Sequence, residues 1–175
     1  MSKGITEHAT FKTPAGELAV ECLLFLDGSW RLTKSRFLDT SSSLRKDIPD
    51  SCTPFDSTWK QIVHDGLNSF FSGEPAPLEL MPMVHSEQTS FQLKVLSALK
   101  KIPFGQTFSY ALIAKEIGLP KSFRAVALAC KHNPLQLFIP CHRVIKSDGS
   151  IGGFEAGVSI KRKLLAIESN YNNEH

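Results

Sequence analysis

Cys141 is the residue of this 175-residue chain whose neighbours suggest reaction rather than packing. It follows Pro140, which fixes φ and removes a backbone donor, and it precedes the basic pair His142 and Arg143. A thiol attacks as thiolate, and a nearby positive charge or base lowers the pKa that controls its formation. A base that serves a nucleophile needs a third group to orient it. Glu168, placed on the last expected helix, is the best candidate to point back at His142. Residue types alone leave a duller alternative open, a buried structural cysteine beside a surface histidine.

The remaining cysteines have simpler explanations. Cys22 lies in an apolar strand and Cys130 in a helix of small residues, where a free thiol packs like a small hydrophobe. Cys52 falls in a loop and is expected to be exposed. A zinc set of Cys22, Cys52, His8 and His64 follows no known ligand spacing, so no metal is expected. There is no CxxC pair, no apolar run behind Met1, and no stretch near the roughly 18 apolar residues of a membrane span. These features point to reduced thiols in a cytoplasmic protein with no membrane partner.

The elements that must position Cys141 follow from pattern. Residues 10–37 alternate and turn like a small β-sheet, with an apolar run at Leu18–Leu26 and a hairpin signal at Asp27-Gly28. Residues 39–55 are loop-like. Trp59, Ile62, Val63, Leu67, Phe70 and Phe71 fall mostly on one helical face, with Asp56 or Ser57 as its cap. The proline-rich stretch Ser72–Ser86 cannot be helical and is expected to be a linker. Phe91, Val95, Leu96, Leu99 and Ile102 mark another helix. Two short helices follow, from about Ser109 to Ile117 and from Lys121 to Lys131, joined by Gly118-Leu119-Pro120. Such a pair has the form of a helix-turn-helix, and also of two ordinary packed helices. Leu135–Ile139 looks like a strand running into the Cys141 turn, and Ser159 looks like the cap of a last helix carrying Ile160, Leu164 and Ile167. The expected class is α+β, with a supporting sheet-plus-helix domain at 1–87 and a mostly helical domain at 88–175.

Charge divides the chain the same way. Residues 88–175 carry twelve Lys or Arg against five Asp or Glu, whereas residues 1–87 carry eight against twelve. A basic half beside an acidic one suggests that the basic half meets a polyanion, although a solvated basic face gives the same count.

The string Ile139-Pro140-Cys141-His142-Arg143-Val144-Ile145 resembles the active-site signature of the O6-alkylguanine-DNA alkyltransferases. Phe104-Gly105, Ser109-Tyr110, Arg124-Ala125-Val126, Asn133-Pro134 and the loop containing Gly152 agree with that family in order and spacing. The match covers about residues 88–169; the N-terminal part is similar only in coarse plan.

The resemblance implies a set of roles. Cys141 accepts the alkyl group, His142 acts as base through a bridging water, and Glu168 orients His142. Asn133 holds the active-site turn. Tyr110 presses on the phosphate of the target nucleotide and donates to the flipped base. Arg124 enters the duplex in its place, while the second helix, with Ala125 and Ala127, lies in the minor groove of double-stranded DNA. Lys121 and Ser147 join the DNA contacts, and Val144, Phe154, Glu155 and Ala156 shape the pocket. No cofactor is implied, and a monomer suffices. The substrate implied is O6-alkylguanine, with O4-alkylthymine as a second candidate. Phe154 stands where a Tyr is frequent, and Glu155 and Ala156 replace a small residue and a glycine. Two other classes of function compete: a non-catalytic protein that flags alkylated bases, and a Cys-His hydrolase with no affinity for DNA.

Overall fold

A computed structural model describes residues 4–38, 58–76, 78–84 and 88–174. The helix cap expected at Asp56 or Ser57, the loop at 39–55 and Cys52 lie outside the described residues. The architecture is α+β, as the sequence implies. Strands β1 (Ile5–Thr13), β2 (Gly16–Leu24) and β3 (Trp30–Phe37) form an antiparallel sheet in the order β1-β2-β3. The first strand begins earlier than its alternation suggested. Asp27-Gly28 does turn the second hairpin: Gly28 adopts φ +79°, and Asp27 accepts from the Ser29 backbone. Helix α1 (Thr58–Phe71) packs Trp59, Val63, Leu67 and Phe70 inward, but Ile62 is exposed. Trp59 Nε1 donates to Glu7 at 2.9 Å, tying α1 to β1.

The stretch expected as a linker is partly stitched to the sheet. Leu78–Leu80 form a 3-10 turn, Leu32 N donates to Pro82 O, and Val84 N donates to Leu32 O. The same edge of β3 meets the active-site segment: Ser35 N donates to Pro134 O, and Gln136 N donates to Ser35 O. An otherwise open strand edge is thereby covered. The buried hydrophobic cluster runs from Phe11 and Leu32 through Trp59 to Val95, Phe138 and Leu164.

Helix α2 (Ser90–Leu99) starts at a capping box that the apolar stripe did not reveal. Thr89 accepts from Gln92 N, and the Gln92 side chain accepts from Thr89 N. Strand β4 (Phe108–Ser109) leads into α3 (Tyr110–Glu116), capped by Ser109. Gly118, at φ +76°, ends α3 in a Schellman turn: Leu119 N donates to Ala114 O and Gly118 N to Lys115 O. Helix α4 (Phe123–Lys131) then packs against α3 and α2.

Leu135–Ile139 is not a strand. Leu137 takes φ +75°, and Ile139 N returns to Leu135 O, so the segment is a buried turn. Its apolar run reflects burial on all sides, which a strand and a buried coil share. Cys141–Arg143 form a 3-10 turn, and β5 (Val144–Ile145) pairs in parallel with β4. Helix α5 (Val158–Glu174) begins one residue before Ser159, so Ser159 is not its cap; Lys161 N already donates to Gly157 O. None of the described helices is long and apolar enough to cross a membrane.

Candidate active site

Cys141 sits where three pieces of backbone converge: the 135–139 turn, β5, and the N-terminus of α3 reached through β4. The residue is buried, yet it lines a cavity of about 680 Å³, a size that suits a small ligand. Asn133 holds the turn from below. Its Nδ2 donates to Ile139 O at 2.8 Å and to Cys141 Sγ at 3.0 Å, while its Oδ1 accepts from Leu135 N.

The sulfur is not acidified by its sequence neighbours. Burial pushes the Cys141 thiol up to about 11, against the opposing pull of the Asn133 amide and the Lys161 ammonium. Arg143, expected to help as a nearby cation, points away. Its Nε donates to both Glu168 oxygens, at 3.0 and 2.9 Å, and its Nη1 donates to Ile102 O. Sequence adjacency sets the distance between backbones but not the direction of side chains, and from this 3-10 turn both His142 and Arg143 reach Glu168.

His142 and Glu168 do meet. His142 Nε2 lies 2.7 Å from Glu168 Oε1, with both residues almost wholly buried. Burial drives the His142 pKa below its ordinary value despite the pull of Glu168, so the ring is neutral. Burial alone would raise the Glu168 pKa, but the hydrogen bond and charge of His142, the Arg143 guanidinium and the Gly105 N–H hold it below the usual range. An ionised Glu168 therefore fixes the proton of a neutral imidazole on Nε2 and leaves Nδ1 as the acceptor. Nδ1 is buried and makes no hydrogen bond among the described residues.

Of the other residues singled out by sequence, Tyr110, Arg124, Ala127, Ser147, Phe154 and Glu155 line the cavity. Ala125 and Lys121 are exposed on or beside α4 and do not line it. Val144, expected at the pocket wall, is buried behind it and offers its carbonyl to Lys161; Ala156 is half-buried and also outside the lining. Burial, helped by the two nearby thiols, pushes the Tyr110 hydroxyl up to about 12, so it remains a donor. A Cβ at Gly152 would stand 3.2 Å from Tyr110 Oη, and Gly152 has φ +69°, so the close approach of that loop requires glycine.

Sequence reasoning missed three residues. Cys130, assigned to packing, is buried but shares the cavity lining with Cys141. Lys161 is fully buried and its Nζ donates to Val144 O and Gly153 O, clamping β5 to the loop over the cavity. Its only signal was position, since Lys161, Leu164 and Glu168 share one face of α5. Gln136 joins β3 to the loop, accepting from Phe37 N and donating to Glu155. Cys22 lies in the core, its thiol pushed up to about 12 by burial. Among the described residues no group of three or more His, Cys, Asp or Glu is placed to hold a metal ion.

Residues 90–170 match the family described as 6-O-methylguanine DNA methyltransferase, DNA binding domain. A methylated-DNA–protein-cysteine methyltransferase of Methanosarcina acetivorans is 39% identical over 124 residues, which span 71% of this chain and 78% of that one. The chain belongs to the methylated-DNA–protein-cysteine methyltransferase family. The crystal structure of the Mycobacterium tuberculosis O6-methylguanine methyltransferase superposes with a TM-score of 0.75 at 35% identity, covering 95% of this chain and 94% of that one. The OGT of the same bacterium, crystallised in complex with DNA, superposes with a TM-score of 0.73 at 36% identity over 94% and 93% of the two chains. The family likeness thus includes the N-terminal sheet, where sequence resembled the family only in outline.

Proposed function

We propose that this chain reverses alkylation of guanine in double-stranded DNA by taking the O6-alkyl group onto Cys141, once per molecule. The observation that carries the proposal is the buried Glu168–His142 pair beside a cavity-lining Cys141, with a single imidazole nitrogen left to accept a proton. The resting thiol is protonated, so the reaction must remove that proton on demand. Nδ1 of His142 takes it through a bridging water, and Glu168 stabilises the imidazolium that forms. The Asn133 amide and the Lys161 charge stabilise the thiolate.

The sulfur then attacks the alkyl carbon in line. The S–C bond forms, the C–O6 bond breaks, and its electron pair leaves on guanine, where Tyr110 donates a hydrogen bond. In the net reaction the thiol proton ends on guanine and the alkyl group on sulfur. A thioether is stable, which accounts for one turnover, and the lesion itself supplies the alkyl group. The alkyl carbon lies inside the duplex stack, so the base must leave it at a cost of a few kcal/mol. Arg124, exposed at the cavity rim over Phe123, fills the gap. Helix α4 enters the minor groove, where Ala125 and Ala127 allow close approach, and Lys121 and Ser147 reach the backbone. The protein acts as a monomer in the cytoplasm, and O4-alkylthymine is a secondary substrate.

The test is intact mass after mixing with duplex DNA that carries O6-methylguanine. The expected result is one added methyl, located on Cys141 and absent in Cys141→Ala. Tight binding with no mass change would favour a lesion-flagging protein instead.

A further inference from the structure

The loop over the cavity carries one acidic residue among those lining it, Glu155. Its position is built rather than accidental. Glu155 Oε2 accepts from Gln136 Nε2 at 2.9 Å, and Gln136, itself buried, accepts at its Oε1 from Phe37 N at 3.1 Å. The carboxylate is thus held by an amide anchored to β3. It also borders a second hollow, between the sheet and the end of α4, so it stands on the ridge separating the two. Its field reaches the reacting atom, where it opposes ionisation of Cys141 while Asn133 and Lys161 favour it.

The cations that line the cavity or pack behind it form no ion pair with Glu155 among the described residues. Lys161 is committed to the Val144 and Gly153 carbonyls. Arg124, Lys131 and Lys146 are exposed at the cavity wall; bound DNA would draw Arg124 into the gap in the duplex and the two lysines to its phosphates. In the free protein Glu155 is exposed and solvent screens it. A duplex lying over the mouth removes that solvent, and like charges left in a water-poor cavity repel strongly.

We infer that Glu155 selects the alkyl group by charge, admitting uncharged O6 adducts and rejecting those that carry a carboxylate. The inference rests on the alkyl-transfer reading above. The carbon under attack must lie in line with Cys141 Sγ, so a carboxylate bonded to that carbon enters the space that Glu155 borders. The bonds made and broken are the same for a carboxymethyl group and for its amide, carbamoylmethyl, which has the same shape without the charge. The rate ratio of these two adducts isolates the charge from the size of the group.

Single-turnover transfer is to be measured by intact mass with duplexes carrying O6-methyl-, O6-carbamoylmethyl- or O6-carboxymethylguanine. The wild type should prefer the amide over the acid by more than about tenfold. Glu155→Gln keeps an acceptor for Gln136 and should cut that preference about tenfold; Glu155→Lys should abolish or reverse it. An equal rate for acid and amide in the wild type, or a preference unchanged across the three side chains, overturns the inference and leaves alkyl transfer standing. Failure of the wild type on the methyl adduct overturns both.

Discussion

Around the N-terminal sheet and α1, the buried side chains are chiefly hydrocarbon: Phe11, Leu18, Val20, Leu32, Trp59 and Phe70. Around α5 and the Cys141 turn, the chain instead buries Asn133, Gln136, His142, Arg143, Lys161 and Glu168. The first arrangement stabilises a fold at about 25 cal/mol per Å² of apolar surface removed from water. The second contributes little net stability, because desolvating ions offsets most of their mutual attraction. What it changes is protonation state. It favours a neutral His142, an ionised Glu168 and a protonated Cys141. The lesson is a division of labour within a shared core: the hydrocarbon half holds β3 in place, and the edge of β3 holds the segment that leads to Cys141.

That contrast can be broken most directly at Glu168. Glu168→Ala leaves His142 and Arg143 buried without their acceptor, and should cost about 3–5 kcal/mol in urea unfolding and eliminate measurable methyl transfer. A hydrocarbon deletion in the other half should separate these two effects. Leu32→Ala is expected to cost about 3 kcal/mol by the same measurement. At a temperature where it remains folded, it should still gain one methyl per molecule, at a rate within about threefold of wild type. Loss of transfer there would mean that the sheet does more than support.

The smallest effect is on the pH dependence of stability. Unfolded, His142 takes up a proton near its ordinary 6.5, whereas folded its pKa lies lower, so below pH 6.5 the unfolded chain binds more protons and stability falls with acid. Glu168, whose folded pKa lies below the ordinary 4.5, adds a second loss below that value. Stability should therefore decline in two stages on acidification, and His142→Gln should flatten the stage between 6.5 and 4.5. A decline of unchanged shape in that variant would show that His142 is not buried neutral.

Much of this was legible in the residues. The stripes of α1 and α2, the glycine break between α3 and α4, and the hairpin at Asp27-Gly28 are local signals, because a helix or turn is decided by neighbours within a few residues. The pairing of His142 with Glu168 was also anticipated, from the need of a base for an orienting group. The turn at Leu135–Ile139 resembles a strand in sequence because total burial erases the alternation that distinguishes the two. The roles of Arg143, Lys161 and Gln136 were invisible, since each is defined by a partner that other parts of the fold deliver.

The amino-acid order alone pointed to Cys141 and to the family, because the run from Ile139 to Ile145 and its flanking landmarks are contiguous or fixed in spacing. The direction of each side chain around Cys141, and so the protonation state of every group in the site, was decided by packing. A pKa depends on the solvent removed and the charges brought near, and both are set by residues distant in sequence that only the folded chain brings together.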